Sequence, residues 1–178
     1  LFELDRNDFW DPSLGLGVLK GERFDAILKS LLGCENIEET DIPLRITVFD
    51  IKKIQTRYLD SGTLSSSIRA SCAFPGLFQP VELDGSPFLD GGIMDRSGMG
   101  GIAEGLPVLY HHLKSRSRIR RHLKRLSGWK HRRNLVPITI EDLPKVSPFH
   151  LHRGREAFDV ARTYLQRQLD LPVESSPL

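Results

Sequence analysis

A length of 178 residues, with 39% apolar and 27% charged side chains, is typical of an ordinary soluble protein with a single domain. No segment approaches the run of about 18 apolar residues that a transmembrane helix requires. The two cysteines, Cys34 and Cys72, lack the spacing of a metal site. We expect them to be reduced thiols of a cytoplasmic protein rather than a disulfide framework.

Apolar periodicity and turn residues predict a mixture of helices and strands. Residues 1–21 are predicted to be irregular. An amphipathic helix is predicted over 22–32, because its apolar residues recur three and four positions apart and Gly33 follows as a C-cap. The other predicted elements are a hairpin of strands 44–51 and 55–59, a helix over 64–73, strands near 81–83 and 88–89, strands over 106–110 and 135–140, and a helix over 153–171.

The most informative stretch is a predicted hairpin followed by an aspartate and two glycines. Asp84-Gly85, between two short apolar strands, accepts the positive φ angles of a two-residue turn. The second strand ends at Asp90, and the carboxyl ends of strands are where open α/β sheets bind ligands. Gly91 and Gly92 lack a Cβ atom and allow close approach of another backbone or a substrate. This pattern predicts a catalytic base; the alternative is a surface turn followed by a capping aspartate.

A series of short motifs in a fixed order resembles the patatin-like phospholipases. The resemblance begins near Gly15, is strongest over 64–93 and continues less closely to the end of the chain. Its motifs are LSSSI at 64–68, RASCAFPG at 69–76, FQPV at 78–81, DG at 84–85 and LDGG at 89–92. Each motif alone is common, so the specificity of the resemblance comes from their order.

The resemblance implies an α/β fold, a three-layer α/β/α sandwich of the patatin type, of which this chain supplies the later strands and helices. Residues 1–178 would be the carboxyl-terminal part of one patatin-like domain, with a basic insertion at about 111–133. The implied activity is that of a lipid acyl hydrolase with a Ser-Asp dyad. Asp90 would accept the proton of the serine, Gly91 and Gly92 would complete the motif, and no cofactor or metal is implied.

The nucleophile of such an enzyme is absent from this sequence. Serine hydrolases of this kind place it at the centre of G-x-S-x-G, on a sharp turn between a strand and a helix. The two stretches with this glycine spacing, 17–21 and 101–105, have leucine and alanine at the centre. We therefore expect the serine and the glycine-rich oxyanion loop upstream of Leu1. The alternative is a truncated, non-catalytic patatin-like module that binds lipid or protein.

Two other groups of residues invite interpretations that the sequence does not favour. Ser65, Ser66, Ser67 and Ser71 lie in a predicted helix without a base beside them, so we expect small packing residues rather than a nucleophile. Most of the six histidines lie among like charges without acidic or cysteine co-ligands, so no metal site is predicted.

The loop after the Asp-Gly-Gly motif departs from the family pattern. Many family members have a proline shortly after the motif, whereas this chain has DRSG at 95–98. The glycine-rich segment 97–105 is predicted to be a flexible loop that borders the site. The family pattern therefore does not predict the shape of this loop, and the prediction for Asp90 is unaffected.

The small net charge of +2 hides a strongly basic segment. Residues 1–104 contain 10 basic and 17 acidic residues, whereas residues 105–140 contain 10 basic residues and no acidic residue. Within this segment, residues 114–133 as an amphipathic helix would suit an anionic membrane surface, and a solvated, partly disordered insertion is the alternative. Nucleic-acid binding is least favoured because no known binding module accompanies the charge. The residues predicted to contact a membrane are Lys114, Arg116, Arg118, Arg120, Arg121, Lys124 and Arg125.

Overall fold

The structure is a computed structural model and describes residues 7–112, 134–140, 143–146 and 150–169. These residues form two compact units: the first contains residues 7–106 and Asn134, and the second contains the other described residues. No helix in these ranges is long and apolar enough to cross a membrane. The assignment of residues 1–178 to part of a single domain stays a prediction, and the predicted basic insertion lies almost entirely outside the described residues.

The strands of the first unit form a four-stranded antiparallel sheet and a separate parallel pair. They are β1 (Gly17–Leu19), β2 (Ile46–Asp50), β3 (Gln55–Leu59), β4 (Gly76–Phe78), β5 (Val81–Leu83) and β6 (Ser86–Asp90). The order in the large sheet is β3-β2-β6-β5. β2 and β3 form the predicted hairpin, and Asp84-Gly85 joins β5 to β6 with φ angles of 48° and 73°. Both hairpins and the positive-φ turn are therefore confirmed.

β1 and β4 form the parallel pair, in a region predicted to be irregular. A Cβ atom at Gly17 would collide with the backbone of Phe78, so only glycine allows the two strands to approach this closely. The Gln79 amide holds the preceding loop: its Nε2 donates to the Gly17 carbonyl over 2.6 Å and its Oε1 accepts from the Leu16 N–H over 3.1 Å. The prediction for residues 17–19 was wrong because their pairing partner is distant in sequence.

α1 (Glu22–Leu31) forms where the periodicity predicts it. Asp11 stabilises its start, because the Asp11 carboxylate accepts hydrogen bonds of 3.1 Å from the N–H groups of both Gly21 and Arg23. At the other end Leu32 has extended backbone angles and its N–H closes the last turn on Leu28.

α2 (Leu64–Ser71) contacts β2, β5 and β6 and covers one face of the large sheet. Its Leu64 and Ala70 belong to the core together with Val48 and Phe88, and Val48 is 0% exposed. Small side chains on this helix allow it to pack closely on the sheet, so the backbone around β6 is held firmly.

The second unit contains β7 (Val108–His111), β8 (Leu135–Ile138) and α3 (Gly154–Leu169). β7 and β8 pair in parallel, with Pro137 opposite Tyr110. A two-stranded sheet has only edge strands, so Pro137 lies where a residue without an N–H is tolerated. With helices and both parallel and antiparallel strands present, the predicted α/β class is confirmed.

Candidate active site

Asp90 is the last residue of β6, an interior strand of the large sheet, so its predicted location at a strand end is confirmed. It lies opposite Val48 in the antiparallel ladder with β2. Its N–H donates to the Ala73 carbonyl oxygen over 3.1 Å. The Asp90 backbone is thus attached both to the sheet and to the segment that follows α2, and the residue is half-buried.

A 3-10 turn over Gly91–Ile93 follows Asp90, and the Asp90 side chain caps its start. Oδ1 of Asp90 accepts a hydrogen bond from the Gly92 N–H over 2.7 Å. No residue in the described part of the chain donates to the second oxygen, Oδ2. Oδ1 therefore caps the turn, as the alternative interpretation of the sequence expects. Oδ2 is available to accept a proton.

The two glycines of the motif have different neighbours. A Cβ atom at Gly91 would lie 2.5 Å from the Thr47 carbonyl oxygen, which belongs to the backbone of β2. A Cβ atom at Gly92 would lie 3.0 Å from Oδ1 of Asp90, the end of a side chain. Gly91 is therefore required for the turn to pack on the sheet, whereas Gly92 keeps space beside the carboxylate.

Cys72, directly after α2, is electrostatically coupled to Asp90. Desolvation by the surrounding protein raises the pKa of the Cys72 thiol, and the negative charge of Asp90 raises it further. Cys72 nevertheless touches solvent, so its desolvation is incomplete and a reagent can reach it. A thiol with a raised pKa is mostly protonated and a weak nucleophile at neutral pH, so Cys72 is not a candidate nucleophile. Its titration instead depends on the charge of Asp90.

Asp95, which the sequence did not single out, organises the loop after the motif. Its Oδ1 accepts from the N–H and the hydroxyl of Ser97 over 3.1 and 2.8 Å and from the Gly98 N–H over 3.0 Å. Its Oδ2 accepts from the Tyr58 hydroxyl over 2.9 Å and from the Gly100 N–H over 3.0 Å. The carboxylate thus joins the loop to β3.

These hydrogen bonds change the ionisation of both partners. Desolvation pushes the pKa of Asp95 upward, but the hydrogen bonds from Gly100, Ser97 and Tyr58 outweigh it and leave that pKa below its usual value. Desolvation and the hydrogen bond to Asp95 raise the pKa of Tyr58 to about 12. The arrangement therefore favours an ionised carboxylate and a neutral phenol.

The segment 97–105, predicted to be a flexible loop, contains one short turn, and its flexibility stays a prediction. Residues Met99–Gly101 form a 3-10 turn, and the N–H groups before and within it bond to Asp95. An aspartate with serine and glycine two and three residues later is a common turn pattern, so the hydrogen bonds from Ser97 and Gly98 could have been predicted from the sequence. The hydrogen bond from Tyr58 could not, because Tyr58 and Asp95 are 37 positions apart.

Of the four helical serines, two lie in the interior of the first unit and the other two, Ser66 and Ser71, are half-buried. Ser65 and Ser67 are buried, and the Ser67 hydroxyl donates to the Thr63 carbonyl oxygen over 2.8 Å. In the described ranges, no group of three or more histidine, cysteine, aspartate or glutamate residues is arranged to hold a metal ion.

Comparison with known proteins assigns the class of this chain. The sequence model described as patatin-like phospholipase matches residues 1–101, more than half of the chain. Uncharacterised NTE family proteins of Mycobacterium bovis and of two strains of Mycobacterium tuberculosis are each 35% identical to it over 94 residues. These alignments cover 52% of this chain, which spans 26% of the length of each relative. The chain belongs to the patatin-like phospholipase family, and its mixed α/β structure corresponds to part of the patatin-like fold.

Proposed function

We propose that the complete protein hydrolyses acyl esters of lipids with a Ser-Asp dyad, in which Asp90 is the general base and the serine lies upstream of Leu1. Membership of the patatin-like phospholipase family supports a lipid ester as the substrate. The observation that carries the proposal is the environment of the Asp90 carboxylate. The Gly92 N–H holds one of its oxygens, and no described residue donates to the other.

In the proposed reaction the serine hydroxyl attacks the ester carbonyl carbon while Oδ2 of Asp90 accepts its proton. Collapse of the tetrahedral intermediate breaks the bond to the alcohol, which takes the proton from Asp90 and leaves an acyl-serine. Water then attacks the acyl-serine with Asp90 again as base, releasing the fatty acid and restoring the serine. Because the Gly92 N–H holds Oδ1, the Asp90 carboxylate has a fixed orientation before the substrate binds.

A serine-reactive fluorophosphonate tests the nucleophile of the proposed dyad. The complete protein should hydrolyse a nitrophenyl ester or a phospholipid, lose this activity on labelling, and carry the label on a serine outside residues 1–178. The 178-residue chain alone should show neither hydrolysis nor labelling. A label on Ser65, Ser66, Ser67 or Ser71, or hydrolysis that resists the inhibitor, would contradict the proposal.

A non-catalytic module that binds lipid or protein is the second candidate function. One observation favours it: neither stretch with the glycine spacing of a nucleophile, 17–21 or 101–105, contains a central serine. Vesicle binding by the complete protein without any ester hydrolysis would support this candidate over the enzyme.

For the basic segment we propose peripheral contact of a cytoplasmic protein with anionic membranes. Its residues Lys114 to Arg125 lie outside the described residues, so the proposal rests on sequence and charge. The protein should sediment with vesicles that contain phosphatidylserine and not with pure phosphatidylcholine vesicles. Binding that is instead stronger to DNA or RNA would favour the nucleic-acid alternative.

A further inference from the structure

The segment 91–101, called here the post-motif loop, is attached to the large sheet by the side chain of Asp95. We propose that Asp95 is a positioning residue, which holds the post-motif loop on β3 and thereby fixes the carboxylate of Asp90. This inference rests on the proposed role of Asp90 as the base. It adds a residue that acts through Asp90 and does not touch the substrate.

Both oxygens of Asp95 are occupied by the protein itself. Together they accept five hydrogen bonds, from Ser97, Gly98, Gly100 and Tyr58. A carboxylate has about four lone-pair sites, so Asp95 has no acceptor capacity left for a substrate proton. Its chemistry is therefore that of an anchor, in contrast to Asp90.

A short series of backbone contacts connects Asp95 to Asp90. The Asp95 N–H donates to the Gly91 carbonyl oxygen over 3.0 Å, and Gly91 packs against the backbone of Thr47. The next residue, Gly92, provides the N–H that bonds Oδ1 of Asp90 over 2.7 Å. If the Asp95 side chain no longer holds the loop, the turn that contains the Gly92 N–H is free to move. The orientation of the Asp90 carboxylate then changes with it.

Tyr58 is the fixed end of the attachment. Its ring lies against Gly100 and Gly101, where an added Cβ atom would collide with ring atoms. Its hydroxyl donates to the ionised Asp95, and a hydrogen bond to a charged acceptor is stronger than one between neutral groups. Arg45 donates to the Gly101 carbonyl over 2.6 Å, but from an exposed position where water competes. The Asp95–Tyr58 contact is therefore the main attachment.

The thiol of Cys72 reports on the position of Asp90 without any need for catalysis. Iodoacetamide reacts with the thiolate, so the pH dependence of Cys72 alkylation in the complete protein, followed by peptide mass spectrometry, measures its titration midpoint. Asp90→Asn removes the negative charge that raises this midpoint and gives the reference value for loss of that charge. Asp95→Asn should move the midpoint away from the wild-type value, because the distance between Asp90 and the thiol changes. In the same variant, kcat for ester hydrolysis should fall about tenfold with KM little changed.

Tyr58→Phe is the matched variant because it removes one hydrogen-bond donor and leaves the charge of Asp95 in place. It should shift the Cys72 midpoint in the same direction as Asp95→Asn, by a smaller amount, and Asp84→Asn should leave it unchanged. A wild-type midpoint in folded Asp95→Asn and Tyr58→Phe would overturn the positioning role. If Asp95→Asn does not fold, Tyr58→Phe decides the matter. Full hydrolytic activity in Asp90→Asn would overturn the proposed function instead, and the thiol titration would still test the positioning.

Discussion

Asp90 and Asp95 lie on the same turn-rich segment, and their carboxylates have opposite surroundings. Asp90 accepts one hydrogen bond, from Gly92, and its Oδ2 has no donor among the described residues. Asp95 accepts five and is joined through Tyr58 to β3. An oxygen without a donor can take a proton from a substrate or nucleophile, whereas a saturated carboxylate can only stabilise the protein. The comparison therefore separates a candidate base from a structural anchor.

Replacement of Asp90 by asparagine should have the largest effect on the complete protein. The amide keeps the shape of the side chain and an acceptor for the Gly92 N–H, but it is not a base. We expect kcat for ester hydrolysis to fall by about a hundredfold or more, with little change in Tm. Initial rates and thermal denaturation measure the two quantities.

Asp84→Asn is the control for that variant, since Asp84 lies in the other Asp-Gly pair and has a turn role only. It should retain activity. If both variants lost activity and stability to the same extent, the role of Asp90 would be structural.

The glycines that follow Asp90 should respond differently to alanine. Gly91→Ala places a methyl group 2.5 Å from the Thr47 carbonyl oxygen, so the free energy of unfolding should fall by about 1–3 kcal/mol. Gly92→Ala meets the movable side chain of Asp90, so activity should fall more than stability. Urea denaturation together with ester hydrolysis distinguishes the two. Equal loss of stability in both variants would show that the Thr47 contact does not decide the packing.

The contribution of Asp95 to stability should depend on pH in the acid range. Its pKa in the folded protein lies below the ordinary value of 3.8, so folding favours the ionised form. The resulting stability is present above the unfolded pKa and is lost as the pH falls through the lower, folded pKa. Asp95→Asn should therefore be less stable than the wild type by about 1 kcal/mol near neutral pH, a value kept small by partial exposure to water.

The stability difference between the wild type and Asp95→Asn should disappear in acid, where Asp95 is protonated. Urea denaturation of both proteins at neutral and strongly acidic pH measures it. A difference that stays constant with pH would assign the effect to packing rather than to the charge of Asp95.

The smallest expected effect is on the titration of Tyr58. Its pKa of about 12 should fall in Asp95→Asn toward 10.0, and only part of the way, because desolvation is the larger cause. A raised pKa means that folding favours the neutral phenol, so this stability is present below the unfolded pKa and is lost as the pH rises toward about 12. Ultraviolet difference spectra of the phenolate, with Tyr58→Phe to identify the signal among the three tyrosines, measure the shift.

Local signals predicted the elements whose interactions are local. The helix at 22–31, the β2–β3 hairpin and the Asp84-Gly85 turn depend on periodicity or turn residues within a few positions of each other. The pairing of β1 with β4 was missed, since Gly17 and Gly76 are far apart in sequence and a parallel pair has no connecting turn to signal it. Asp90 was correctly predicted at a strand end, and its catalytic role stays a prediction.

By itself, the amino-acid sequence determined the family, because the order of short motifs around Asp90 is specific even where each motif is common. Only the tertiary structure decided that both oxygens of Asp95 accept hydrogen bonds, whereas one oxygen of Asp90 has no donor among the described residues. It also decided that Gly91, rather than Gly92, is pressed against Thr47. The physical reason is that these contacts join atoms from different strands, whose register brings them within hydrogen-bonding or van der Waals distance. Contacts between segments that are distant in sequence produce no periodic pattern of residues that could predict them.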